Sequence, residues 1–372
     1  MQRLIGLVLV ALWLGLGPAR AQFDLVPGYD MALRGPHEAK GAVIWNHGKA
    51  ADGRDIYGET PFFLDPLRAA GWDVFRLHRA AAVDSEEAST LALIAEAEGL
   101  RAQGYARIVS AGQSFGGWIS YFAASRRPGL FDAIVATAPA AHGEAKTSPD
   151  WKLNAERLYA LAETLRQTRV MSFFFPEDPY DPGGRGRQIG KILTARGIPN
   201  VMIDRRPGLE GHGIARTLAF ARVYESCIRA FVEFAEVPRG FTCGLGPSHP
   251  AKGDFVLPAS AVPARDVPAP AKPFAGRWFG WYTQGRQIML IVQSATATNV
   301  TATYAWSAQF RDPEDMPGHR LRRGRIEGGR LVFDEPGQVR LEFTRRADDS
   351  LDVLWTRVSD RLSVRGLVRR VD

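Results

Sequence analysis

The strongest constraint on this chain is a break in its periodicity. Across residues 244–272, Pro247, Pro250, Pro258, Pro263, Pro268 and Pro270 interrupt every apolar pattern, with alanines between several of them. Such a stretch reads as an extended connector rather than a packed element. On its two sides the hydrophobic period differs, so the chain is expected to fold as two units of different class. The expected division is 1–21, 22–243, the 244–272 linker, and 273–372.

Before the break, short apolar runs alternate with helical patterns. Strands are expected at 41–45, 72–75, 107–110, 131–135, 170–175 and 200–203. Helices are expected at 60–70, 84–103, after Gly116 to about Ser125, and at 150–167, 189–196 and 214–236. Strands alternating with helices imply a mainly parallel sheet covered on both faces, an α/β fold. After the break the period is two. Val300, Ala302, Tyr304 and Trp306 alternate with polar residues. Val339, Leu341 and Phe343 do the same, followed by Leu351, Val353 and Trp355. Turn signals recur at Gly285-Arg286, Gly328-Gly329, Glu335-Pro336-Gly337 and Asp348-Asp349-Ser350. The second unit is therefore expected to be an antiparallel meander closing into a β-barrel or sandwich. Its aromatics Trp278, Trp281, Tyr304, Trp306, Phe333, Phe343 and Trp355 have two readings: filling of a closed barrel, or the lining of an open mouth that binds a sugar ring or an acyl chain. A connector with few contacts predicts separable units, so a chain ended near Cys243 is expected to keep its activity.

Composition narrows the classes. Of 372 residues, 45% are hydrophobic and 23% charged, which excludes wholesale disorder. Only Leu4 to Gly17 approaches the length of a membrane span. Preceded by Arg3 and followed by Pro18-Ala19-Arg20-Ala21, it reads as a secretory signal cleaved after Ala21. The mature chain then has no stable membrane span and is periplasmic or secreted. The formal net charge is +7, and loss of Arg3 and Arg20 leaves +5. The one dense basic run, Arg320 to Arg325, reads as a solvated hairpin end and not a nucleic-acid site. Cys227 and Cys243, the only cysteines, are expected to form a disulfide in an exported chain. Two cysteines so far apart do not make a zinc site, and no metal or organic cofactor is implied.

The chemistry gathers in the first unit. Gly112-Gln113-Ser114-Phe115-Gly116 follows an expected strand directly and opens an expected helix. That is the context of a nucleophile elbow, where small flanking residues let the serine take a strained conformation. Serine needs a base, and His212 lies between Gly211 and Gly213, past the last strand. His47, His78 and His142 compete, but only His212 follows both the serine and a candidate acid. The acid is expected at the end of the strand before it, in Pro176-Glu177-Asp178-Pro179-Tyr180-Asp181. Asp178 is preferred, Asp181 is the alternative and Glu177 the weaker one. Backbone N–H groups of Phe115 and Lys49 are the expected oxyanion donors, with the His47 side chain bracing its loop.

Through Asn46-His47-Gly48, Gly112-Gln-Ser114-Phe-Gly116, Pro176-Glu-Asp178-Pro-Tyr and Gly211-His212-Gly213, residues 40–236 resemble the α/β-hydrolase superfamily. The form is similar to dienelactone-hydrolase-like esterases. That branch usually carries cysteine where this chain has Ser114, which points away from the branch's own reaction. Through Phe274-Ala-Gly276-Arg-Trp278-Phe-Gly280, residues 273–372 resemble small calycin- or lipocalin-type barrels. The resemblance implies a serine hydrolase acting on a small-molecule carboxylic ester, before an amide or peptide. The rival from another class is a non-catalytic, hydrolase-shaped binding protein of the cell envelope that grips a glycan or peptide.

Overall fold

The computed structural model describes residues 23–49, 60–206, 208–244, 250, 253–284, 286–308 and 316–372. The leader reading of 1–21 and Gly285 of the expected 285–286 turn lie outside the described residues.

The first unit is a seven-stranded sheet. Its strands are β1 (Phe23–Pro27), β2 (Ala42–Asn46), β3 (Asp73–Arg79), β4 (Ile108–Gln113), β5 (Ala133–Thr137), β6 (Arg169–Phe174) and β7 (Asn200–Asp204). Their order is β1-β3-β2-β4-β5-β6-β7. β1 pairs antiparallel with β3, and every other pairing is parallel. Parallel neighbours require crossovers. These carry α1 (Asp65–Ala69), α2 (Glu86–Gln103), α3 (Phe115–Arg126), α4 (Leu153–Thr164) and α5 (Arg185–Ala195), with α6 (Leu218–Glu233) closing the unit. The central strands are buried throughout, because two separate apolar clusters cover the two faces of the sheet. Continuous runs such as Ala42-Val-Ile-Trp45 suit that double burial. Edge strand β1 escapes the sequence reading because it is short and alternates only weakly between half-buried and exposed positions.

The second unit is a closed eight-stranded antiparallel barrel. Its strands are β8 (Arg277–Tyr282), β9 (Gln287–Ala295), β10 (Asn299–Trp306), β11 (Gly318–Glu327), β12 (Arg330–Glu335), β13 (Val339–Arg345), β14 (Leu351–Arg357) and β15 (Ser363–Arg370). They follow one another round the barrel, and β15 closes on β8. Val300, Ala302 and Tyr304 point inward together with Trp278, Phe333 and Phe343, while Trp306 and Trp355 pack half-buried against the same cluster. The filling role expected of the aromatics therefore holds for these. Trp281 departs from it: period two along β8 sends Trp278 and Tyr282 inside, and Phe279 and Trp281 outside.

Those outward residues weigh against the expectation of separable units. Phe279, Trp281, Met289, Ile291 and Ala305 belong to the same apolar cluster as Ile214, Ala215, Ala219 and Phe220 of the first unit. Nor is the connector free of contacts. Phe255, Leu257 and Ala261 pack into that cluster. Ala264 N–H donates to the Val292 carbonyl at 2.8 Å and His319 Nδ1 to that of Val256 at 2.8 Å. A proline-punctuated segment shows no period even when its few apolar side chains are anchored, so this packing leaves no pattern in the sequence.

The basic run also lies elsewhere than expected. It sits along β11, and the turn follows at residues 328–329. Arg320 and Arg322 pair with Glu335 at 3.1 and 2.9 Å, and Arg325 pairs with Asp334 at 2.7 Å. Acids on the neighbouring strand are not visible to a window that reads only the run itself.

Cys227 of α6 is bonded to Cys243, as expected. The bridge closes a loop over a sequence separation of 16, worth about 3 kcal/mol by the loop-entropy argument. It ties the segment that follows α6 back onto that helix.

Candidate active site

β4 ends at Gln113 and α3 begins at Phe115, which leaves Ser114 alone to make the reversal. Its φ of 54° and ψ of −121° are unfavourable for a residue with a Cβ, at a cost of roughly 1–3 kcal/mol. The turn is over-determined by its neighbours. Ser114 N–H donates to the Thr137 carbonyl at 2.9 Å, and the Ser114 carbonyl accepts from Ala140 at 3.2 Å. A Cβ at Gly116 would stand 1.9 Å from the Asn46 carbonyl oxygen, and one at Gly112 would stand 2.3 Å from Gly116. Both glycines of the motif are thus required by close approach of backbone to backbone.

The loop after β7 brings His212 over this turn. Its Nε2 is 2.7 Å from Ser114 Oγ, and its Nδ1 is 2.9 Å from Asp178 Oδ1. An ionised carboxylate only accepts, so Nδ1 carries the proton. Nε2 then presents a lone pair, and the Ser114 hydroxyl donates to it. The Asp178 side chain is wholly buried, and Oδ1 also accepts from the Tyr180 N–H at 2.9 Å. The loop itself is fixed from the α/β side: Gln113 Nε2 donates to the His212 carbonyl at 3.1 Å, and Gly211 N–H to that of Pro176 at 2.8 Å.

Asp181, the alternative acid, is engaged elsewhere. It accepts from Arg185 Nε at 2.7 Å with both side chains fully buried, and from the Gly183 N–H at 2.9 Å. Glu177 adopts a positive φ of 55° and lines a different cavity. Of the competing histidines, His142 packs edge-on against Trp118, and His78 pairs across to Asp24 on the far edge strand.

The residues lie in a cleft of about 750 Å³, lined among others by Trp45, Phe62, Phe115, Ala140 and Tyr180. Lys49 and Phe115, the expected oxyanion donors, both line it beside Ser114. Phe115 opens α3, so its N–H has no carbonyl within the helix to donate to. Among the described residues lining the cleft, Lys49 and Arg216 supply positive charge and no acid does. Among the described residues no cluster of three or more His, Cys, Asp or Glu is placed to hold a metal.

Three contributors escaped the motif reading. Tyr180 lies against the His212 ring with centroids 4.1 Å apart. Gln113 bridges to the His212 loop, as above. Arg79, fully buried, holds Asp84 at 2.8 Å and the His47 carbonyl at 2.6 Å, and so anchors the loop that carries Gly48 and Lys49. Tyr180 and Gln113 sit inside the quoted motifs at positions the motifs leave open. Arg79 carries no signal beyond a charge at the end of an apolar strand.

His47 braces this loop as expected, with Nδ1 2.7 Å from the Gly48 carbonyl. Burial, then the neighbouring Arg79 charge, lowers its pKa from 6.5 to about 4. The unfolded chain therefore binds this proton more readily than the folded one between about pH 6.5 and 4. Stability is lost as pH falls through that window, by about 3 kcal/mol from this group. His47→Gln is expected to flatten that slope, as read by urea unfolding at pH 7 and pH 4.5. An unchanged slope would place the acid sensitivity in another group.

No family model and no curated protein matches the sequence. Solved structures are similar over part of the chain. A puromycin-hydrolysing peptidase of Mycobacterium tuberculosis aligns with a TM-score of 0.43 at 16% identity, over 60% of this chain and 39% of its own. The chain thus spans about two fifths of that peptidase. A monoacylglycerol lipase of Paleococcus ferrophilus aligns at 0.42 and 16% identity, over 56% of this chain and 97% of its own. An esterase of Pyrococcus furiosus aligns at 0.41 and 13% identity, over 52% and 81%.

Proposed function

We propose that this protein is an exported serine hydrolase that cleaves a carboxylic ester, with an amide as the second choice of substrate. The reading rests on one observation: a continuous relay from Ser114 Oγ to His212 Nε2 at 2.7 Å and from His212 Nδ1 to Asp178 at 2.9 Å. Ser114 attacks the acyl carbon as His212 takes the hydroxyl proton. The developing oxyanion is met by the N–H groups of Phe115 and Lys49. His212 returns the proton to the leaving alcohol, and a water activated by the same imidazole resolves the acyl-enzyme. Asp178 holds the imidazole in the tautomer that leaves Nε2 free. The positive rim of Lys49 and Arg216 suits a neutral or anionic ester better than a cationic one. Export is supported by the 1–21 leader pattern and by the disulfide, which persists in oxidising compartments.

A fluorophosphonate probe is expected to label the wild type stoichiometrically and to leave Ser114→Ala unlabelled. Short-chain p-nitrophenyl esters are expected to be turned over by the wild type alone. Equal labelling of both proteins sinks the assignment of Ser114. A folded wild type inert to every chain length favours the binding-protein reading.

A further inference from the structure

The loop that carries His212 has two sides, and only one belongs to the α/β unit. On the other side stands the barrel. Gly208, at a φ of +101°, opens the loop, and a Cβ there would lie 2.2 Å from Leu367 Cδ2 of β15. Leu367 is buried, so its methyl groups occupy the space that the missing side chain leaves. Two residues on, Glu210 Oε1 receives Arg346 Nη2 at 3.2 Å, and that guanidinium is anchored on the barrel by Asp352 at 2.6 Å. Beyond His212, Ile214 and Ala215 enter the apolar cluster that holds Trp281 and Phe279 on the outside of β8. The barrel therefore touches this loop before the histidine, by shape and by charge, and shares an apolar cluster with the residues after it.

We infer that the barrel is part of the hydrolytic apparatus, with Arg346 and Leu367 as positioning residues that set the His212 loop over Ser114. The inference rests on the hydrolase reading for its kinetic consequence but not for the positioning itself. An imidazole that must meet Ser114 Oγ at hydrogen-bond distance tolerates little drift, and a misplacement of about 1 Å can cost about 100-fold in rate. Arg346 and Glu210 are each only partly exposed, at 19% and 30%, so water screens the pair less than it does the open pairs of the barrel surface. Leu367 acts differently: its methyl groups fill the space directly beside Gly208, at the edge of a cavity of about 470 Å³ that the loop and the barrel share.

The test reads His212 directly. Full-length protein labelled with ¹⁵N in its histidine rings gives one set of ring resonances for His212, identified by its loss in His212→Gln. In Arg346→Ala and Leu367→Ala those resonances are expected to shift or broaden, with near-ultraviolet circular dichroism retained. Arg357→Ala, which breaks an exposed pair with Asp360, is expected to leave them in place. In parallel, kcat on a p-nitrophenyl ester should fall about 10- to 100-fold per phosphonate-titrated site, with KM within about twofold. Glu210→Gln, a milder change from the α/β side, should reproduce the Arg346→Ala loss. The double variant should lose no more than either single one. Arg346→Lys should recover part of it. Unmoved His212 resonances in both barrel variants overturn the inference. So does a reduced number of titratable sites with wild-type turnover per site, because the barrel would then only hold the fold. A wild type inert to phosphonate and ester strikes the hydrolase reading alone, and the His212 resonances still decide the positioning.

Discussion

Asp178→Asn is expected to lower kcat by about 10⁴-fold with the fold intact. The amide can turn its NH₂ toward Nδ1 and stabilise the wrong tautomer, with the proton on Nε2, where it no longer accepts from Ser114. Asp181→Asn should behave in the opposite way. It removes the charge facing the wholly buried Arg185 guanidinium, which also donates to the Pro139 carbonyl at 2.6 Å. Breaking a buried pair from one side costs about 3–5 kcal/mol. Turnover per titrated site should change little while the urea midpoint drops. Active-site titration, ester kinetics and urea unfolding on both variants separate the two roles. Loss of turnover in Asp181→Asn with Asp178→Asn active would move the acid to Asp181.

Ending the chain at Cys243 is expected to abolish ester turnover, in contrast to what the connector's composition suggests. The cut removes Leu367 and Arg346 from the His212 loop. It also strips Phe279, Trp281, Met289, Ile291 and Ala305 from an apolar cluster shared with α6. The exposed face should also drive association, visible by light scattering. A soluble, monomeric fragment with wild-type turnover would mean that the first unit is complete without the barrel.

Much of this architecture can be read from the residues because it is written in local terms. The strand and helix alternation, the Ser114 turn and the cysteine pair each need only a short window. The stripe Val300, Ala302, Tyr304 and Trp306 is legible for the same reason. The choice of Asp178 over Asp181 is harder, since both follow β6 and both sit before or within turn signals. In space His212 meets Asp178, while Arg185 claims Asp181 from four residues downstream. The union of the two units is not legible at all. Trp281 looks like any other aromatic of a period-two strand, and nothing near Leu367 in sequence indicates that Gly208 leaves room for it. Such contacts join residues dozens of positions apart or more and leave no period.

The alternation along β8 has one more consequence. Trp278 and Tyr282 belong to the barrel interior, and Phe279 and Trp281 to the cluster shared with the α/β unit. A single strand therefore serves two cores, and a slip of one residue in its pairing would turn both inside out. The register between β8 and β15 is locked by Gly280, whose Cα lies so close to the Leu367 carbonyl that a side chain has no room. Barrel and sheet thus draw on one strand, and the hydrophobic layer of each is complete only with that strand in register. A domain exchange that replaced the barrel by a related one would succeed only if the donor strand kept both phases of the pattern.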